Sequence, residues 1–210
     1  VKKGLNVNMN KNEKGSIKKY NKLAGDYDLS FDGRFTVKFK RKILDFCNVS
    51  DGDAVLDVGC GNGSLINAIS KKAKIKAYGI DISPNMIAEC RKRCKNIDFQ
   101  VSGGEVLPFD DNNFNVLIIC CVLHHLNNPQ KFFMEAHRVL KQGGILIVGE
   151  PYFPLVIRKF IDWIIIPIHN AGDNKMFSHK SLKRLFADNG FEIAEIYKKG
   201  TVQIIKGRKL

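Results

Sequence analysis

Three glycines at alternate positions, Gly59, Gly61 and Gly63, follow directly on the apolar run Val55-Leu56-Asp57-Val58. Glycines placed this way let the backbone turn tightly and pass close beneath a ligand, with the next helix N-terminus beyond. Two nucleotide loops fail on spacing. A dinucleotide fingerprint reads G-x-G-x-x-G, but Ser64 stands at its last position counted from Gly59 and Ile66 counted from Gly61. A P-loop requires Gly-Lys-Ser or Gly-Lys-Thr, and neither follows. Asp81 closes the next apolar run, Tyr78-Gly79-Ile80. A carboxylate there can accept hydrogen bonds from both hydroxyls of a ribose, or can cap the following helix. His124 and His125 follow a further apolar run. An imidazole titrates near neutrality and can take a proton from an acceptor hydroxyl; it can also simply pack.

These groups need a scaffold, and the chain supplies a regular alternation. Residues 54–58, 75–80, 97–101, 116–122 and 145–148 read as strands, several of them continuously apolar. Such runs suit a parallel sheet covered by helices on both faces. Helical spacing lies between them, as at Leu65, Ile66 and Ile69 and at Phe132, Phe133, Ala136 and Val139. Ser83-Pro84 opens one helix, with Ser as cap and Pro at the first position. Residues 178–189 read as a helix, and 191–197 and 201–206 as an antiparallel hairpin. The fold class expected is α/β: one Rossmann-like, doubly wound domain with a mostly parallel seven-stranded sheet and a C-terminal antiparallel hairpin. Before it, residues 1–16 read as a disordered, solvated tail and 17–47 as a helical cap, with Phe35, Phe39, Ile43 and Phe46 on one stripe. Residues 151–177 read as an apolar insertion over the site, carrying Phe153, Phe160 and Trp163.

The chain of 210 residues has a net charge of +13. Residues 1–42 hold twelve Lys or Arg against four acids, and 71–95 hold eight against two. Basic patches of this kind meet nucleic acid, anionic membrane or an acidic partner, or merely solvate helix faces. No apolar stretch reaches the ~20 residues of a membrane-spanning helix. The N-terminus lacks the apolar core of a signal peptide, so a cytoplasmic protein is expected. The six cysteines, Cys47, Cys60, Cys90, Cys94, Cys120 and Cys121, show no zinc-type pairing. Buried reduced thiols and no metal are expected.

The runs Asp57–Gly63 and Gly79–Met86, with Leu107-Pro108-Phe109, Val122–Leu126 and Leu140–Gly144, resemble the motifs of class I methyltransferases that act on small molecules. The group that includes the quinone-biosynthesis methyltransferases is the nearest in pattern. The resemblance implies S-adenosyl-L-methionine as cofactor and S-adenosyl-L-homocysteine as product. It implies that Gly59, Cys60, Gly61 and Gly63 face the methionine part, supported by Asp57, that Asp81 holds the ribose, and that Ile82 and Met86 flank the adenine. Cys120 is expected to offer its backbone carbonyl to the methionine ammonium, and Tyr20 and Tyr27 to close over the site. One departure stands out. The family commonly carries an Asp for the adenine amino group where this chain has Gly103, leaving Gly103 and Gly104 to meet the adenine through backbone or water.

His124 and His125 are the catalytic candidates. The acceptor is expected to be a small, apolar or aromatic molecule. Nucleic acid is disfavoured: the Asn/Asp-Pro-Pro-aromatic run of base-amino methylation and the Pro-Cys pair of cytosine chemistry are both absent. RNA methylation at a hydroxyl or ring nitrogen, and a non-catalytic cofactor-binding module, remain as alternatives. The oligomeric state is left open.

Overall fold

Ala54–Val58 (β1) is buried along its whole length, as a central parallel strand must be. In the computed structural model, which describes residues 11–161, 163 and 176–210, β1 lies between Lys76–Asp81 (β2) and Phe114–Cys120 (β4). Asp98–Val101 (β3) flanks β2, and Leu140–Pro151 (β5) flanks β4, all parallel. Phe191–Lys199 (β6) and Val202–Lys209 (β7) complete the order β3-β2-β1-β4-β5-β7-β6, with β7 antiparallel to both neighbours. The chain winds outward from β1 on one side and then on the other. The crevice at the carboxyl ends of β1 and β4 is therefore the expected ligand site.

Helices cover both faces. Phe31–Phe46 (α2), Ser64–Ile69 (α3) and Pro84–Arg93 (α4) bury Phe39, Ile43, Ile66 and Ile87 on one. Pro129–Val139 (α5) and His179–Asp188 (α7) bury Phe132, Phe133, Leu182 and Phe186 on the other. The Ser83 hydroxyl accepts from the Met86 amide at 3.1 Å, with Pro84 in the first turn, as the sequence signals.

Several boundaries differ from the sequence reading. β4 stops at Cys120, because Cys121 adopts a left-handed φ of 55° and turns the chain into the short 3-10 turn Leu123–His125. β5 runs longer at both ends, where β4 and β7 extend its pairing. Cys94 caps the end of α4.

The expected tail needs correction. A helix, α1, spans Lys11–Leu23, and Ser16 within it is buried. Local composition concealed it because its support is distant: Tyr20 and Leu23 pack against Ala24, Tyr27 and Met86. Asn21 also accepts from the Ser83 hydroxyl at 2.6 Å and the Asn85 amide at 3.3 Å. Residues 1–10 lie outside the described residues. So does most of the expected insertion: within 151–177, only 151–161, 163, 176 and 177 are described, including the short helix Leu155–Phe160 (α6). None of these lines the cleft described below.

Candidate functional site

The glycine loop is fastened before any ligand is considered. The Gly59 and Cys60 amides both donate to the Ile80 carbonyl, at 2.8 and 2.9 Å. Gly59 has φ 70°, and a Cβ there would fall 2.4 Å from Val122 Cγ2, so no larger residue fits. Asp81 does two local jobs. Its Oδ2 accepts from the Gly61 amide at 2.9 Å and its Oδ1 from the Ser83 amide at 2.8 Å. The carboxylate thus joins the ends of β1 and β2 and keeps lone pairs for a further donor.

These ends form the floor of a cleft of about 980 Å³, its open mouth included. Asp57, Gly59, Cys60, Gly61, Asp81, Ile82, Met86, Gly103, Gly104, Cys120, Tyr20, Tyr27 and His125 all line it. Burial pushes the Asp57 carboxyl up to about 7, against the pull of Lys40 and with a further push from Asp81. Asp81 is pushed up to about 6, again by burial, and its two amide donors oppose the rise. Both groups are acceptors removed from water, suited to neutral hydroxyl donors. A Cβ on Gly103 would meet nothing within 4 Å, so space stands open where the resemblance expects a carboxylate.

The N-terminal elements close one side. Tyr20 and Tyr27 meet edge-on at 6.5 Å, and the Tyr20 hydroxyl lies 3.0 Å from His125 Nε2. Burial raises the Tyr27 hydroxyl well above the usual phenol range. Asp28 accepts from the Asn62 side chain at 2.6 Å and from Arg93 at 2.8 Å, tying this segment to the glycine loop and α4.

Two expected site residues fall elsewhere. Gly63 does not line the cleft. Its left-handed backbone starts α3, and a Cβ there would press within 3.1 Å of Cys90 Sγ and 3.2 Å of the Phe99 ring. Its glycine answers to the left-handed φ of 77° and to this tight packing. His124 also turns away from the cleft, its Nδ1 2.7 Å from Glu150 Oε2 with both side chains buried. The two rings lie against each other, centroids 4.2 Å apart, and it is Glu150 that holds His124 while Tyr20 meets His125.

Sequence reasoning missed Glu13, Ser16, Thr36, Lys40, Ser102 and Asn127, all of which line the cleft. Lys40 Nζ donates to the Ser64 hydroxyl at 2.8 Å and sits 5.4 Å from the Tyr27 ring centre. The folding of α1 and α2 against the sheet brings in Glu13, Ser16, Thr36 and Lys40, which no motif marks, while Ser102 follows β3 and Asn127 follows the Leu123–His125 turn.

Residues 56–148 match the family described as a methyltransferase domain. The chain is 36% identical over 152 residues to the demethylmenaquinone methyltransferase of Tropheryma whipplei (strain Twist), covering 69% of this chain and 61% of that protein. It is 27% identical over 222 residues to the ubiquinone/menaquinone biosynthesis C-methyltransferase UbiE of Hydrogenovibrio crunogenus, covering 90% and 87%. The chain spans less than two thirds of the first of these curated relatives. Among solved structures, a chain from the complex of the Haloferax volcanii Trm112 methyltransferase activator with a methyltransferase superposes with a TM-score of 0.79 at 20% identity. That likeness covers 92% of this chain and 96% of the other, and it is one of fold.

Proposed function

We propose that this chain, whose residues 56–148 carry a methyltransferase domain, moves a methyl group from S-adenosylmethionine to a small, apolar or aromatic acceptor and releases S-adenosylhomocysteine. The observation that carries the reading is Asp81: a buried carboxylate at the end of β2, fastened to the glycine loop and open to the cleft. S-adenosylmethionine, when bound, supplies an electrophilic methyl group on a sulfonium sulfur.

The residues present fit that molecule. Asp81 accepts from the ribose hydroxyls, and Gly59 and Gly61 leave the backbone bare beneath the methionine part. Lys40 gives its carboxylate a counter-charge, and the Cys120 carbonyl offers an acceptor to its ammonium. Ile82 and Met86 flank the adenine, while Gly103 and Gly104 meet its edge through backbone and water. The principal work is alignment and exclusion of water, for which Tyr20 and Tyr27 form the wall. His125, which lines the cleft with Nε2 against the Tyr20 hydroxyl, takes the acceptor proton once that hydroxyl yields its place. The aromatic lining and the demethylmenaquinone methyltransferase relatives support an apolar acceptor. A cytoplasmic enzyme acting on small molecules and not on nucleic acid belongs to the same proposal; among the described residues no helix is long and apolar enough to cross a membrane.

Thermal unfolding with candidate cofactors tests it. S-adenosylmethionine and S-adenosylhomocysteine should raise the melting temperature and NAD should not, with about 2.7 kcal/mol of stabilisation at a hundredfold excess over Kd. Equal shifts with NAD would refute the cofactor. Labelled methyl transfer across quinol, phenol, amine and RNA panels tests the acceptor, and transfer to RNA alone would refute the small-molecule assignment.

A further inference from the structure

One surface outside the cleft combines features that the proposed chemistry leaves unused. In α6, Leu155, Val156, Ile157 and Phe160 are each at least half exposed, and Trp163 beyond it is 82% exposed. Arg158 and Lys159 stand among them, and Asp162 is the only acid between residues 151 and 172. The neighbouring elements continue the pattern. Lys198 Nζ, from the end of β6, lies 3.9 Å from the ring centre of Tyr152. Lys38 donates to the Thr201 hydroxyl at 2.6 Å and lies 4.1 Å from the Phe35 ring centre. Phe35 stacks on Phe31, itself 77% exposed. The start of α2, the β6–β7 turn and the approach to α6 therefore form one face of exposed apolar groups mixed with Lys and Arg. Asp32 borders it and is paired with Lys19 at 2.7 Å.

We infer that this face is a contact surface for an anionic lipid bilayer. A protein partner would call for an interface core depleted in lysine, whereas here Lys38, Lys159 and Lys198 are interleaved with the apolar side chains. A second copy of the chain would set a net charge of +13 against its like. Interfacial segments instead combine Trp, Phe and Leu, which enter the acyl boundary, with Lys and Arg, which meet anionic headgroups. Pro151 pairs with Val202 where β5 leaves the sheet, so the face lies on the same carboxyl edge as the cleft. An apolar acceptor held in a bilayer would then have a short path to the site; that consequence alone rests on the methyl-transfer reading.

Trp163 is the only tryptophan of the chain, so its emission reports contact directly. The 210-residue chain is mixed with vesicles of phosphatidylcholine alone or with phosphatidylglycerol added. Emission should shift to the blue, and protein should sediment, only with the anionic vesicles. Binding should weaken as salt rises from about 0.01 M to about 1 M, where the Debye length falls from about 30 Å to about 3 Å. The double variant Lys198→Glu, Lys199→Glu should lose at least tenfold in partitioning while keeping its melting temperature and its S-adenosylhomocysteine affinity. No vesicle binding would overturn the inference. So would salt-insensitive binding to neutral vesicles, or a blue shift that follows protein concentration and light-scattering mass without lipid. Because no methyl donor is needed, a failure here leaves the cofactor result untouched.

Discussion

His124 Nδ1 lies 2.7 Å from Glu150 Oε2, and the other oxygen of that carboxylate accepts from the Leu123 amide at 2.9 Å. Glu150 is fully buried near the end of β5, so this one side chain fixes the turn that carries both histidines. Glu150→Ala should lower stability by about 2–4 kcal/mol in denaturant titration, since a buried amide and imidazole lose their acceptor. Glu150→Gln keeps an acceptor for Leu123 and should cost less. Equal losses for the two variants would mean that shape, not hydrogen bonding, is what Glu150 supplies.

Asp81 binds protein amides as well as any ribose, so Asp81→Ala disturbs the loop and is a poor probe. Asp81→Asn keeps one acceptor and removes the charge. It should weaken S-adenosylhomocysteine binding at least tenfold, from the loss of charge-assisted bonds of about 1.5–3 kcal/mol. Calorimetric titration of the folded variant decides this, and unchanged affinity would leave Asp81 as a loop fastener only.

The two raised carboxyls have opposite consequences for stability and binding. Both stay protonated in the fold at pH values where the unfolded chain has lost the proton, because burial raises Asp57 to about 7 and Asp81 to about 6. Their contribution to the stability of the cofactor-free protein is full below the ordinary carboxylate range and is lost as pH rises through about 6 to 7. The drop in urea midpoint between about pH 5 and about pH 8 should shrink in Asp57→Asn. Cofactor affinity should run the other way, weakening below about pH 6 as Asp81 gains its proton.

Lys40 is the only lysine or arginine among the described residues lining the cleft. Lys40→Gln should raise the Kd for S-adenosylhomocysteine by about threefold to tenfold, as expected for a partly exposed charge contact. Adenosine, which lacks the carboxylate, should bind both proteins alike. A parallel loss for adenosine would mean that Lys40 supports the wall and not the ligand.

Tyr20 joins α1 to His125 across the mouth of the cleft at 3.0 Å. Tyr20→Phe keeps the ring and removes this bond, so S-adenosylhomocysteine should dissociate faster by up to about tenfold. Stopped-flow displacement measures it, and an unchanged off-rate would show that α1 does not retain the ligand. Removing residues 1–16, which the sequence alone reads as a solvated tail, should also weaken binding, because Glu13 and Ser16 line the cleft.

The parts legible in the sequence are those whose cause is local. Alternation of apolar strands and helical stripes fixed seven strands and the antiparallel end, since each period reflects a face that must be buried. The glycine loop and Asp81 were legible because a tight turn needs its residue types at fixed offsets whatever surrounds it. What the fold alone decided depends on groups far apart in the chain. His124 and His125 are equivalent as neighbours in sequence. Glu150 draws one ring away from the cleft, and Tyr20, 105 positions away, meets the other at it. Gly63 carries the same motif signal as Gly61, but Cys90 and Phe99 claim the space behind it. Lys40 belongs to no motif, and the sparse apolar content of α1 hid a helix held by Met86, Ser83 and His125. Periodicity records that a residue is buried; which neighbour buries it, and so which way its polar atoms face, is settled only when the elements pack.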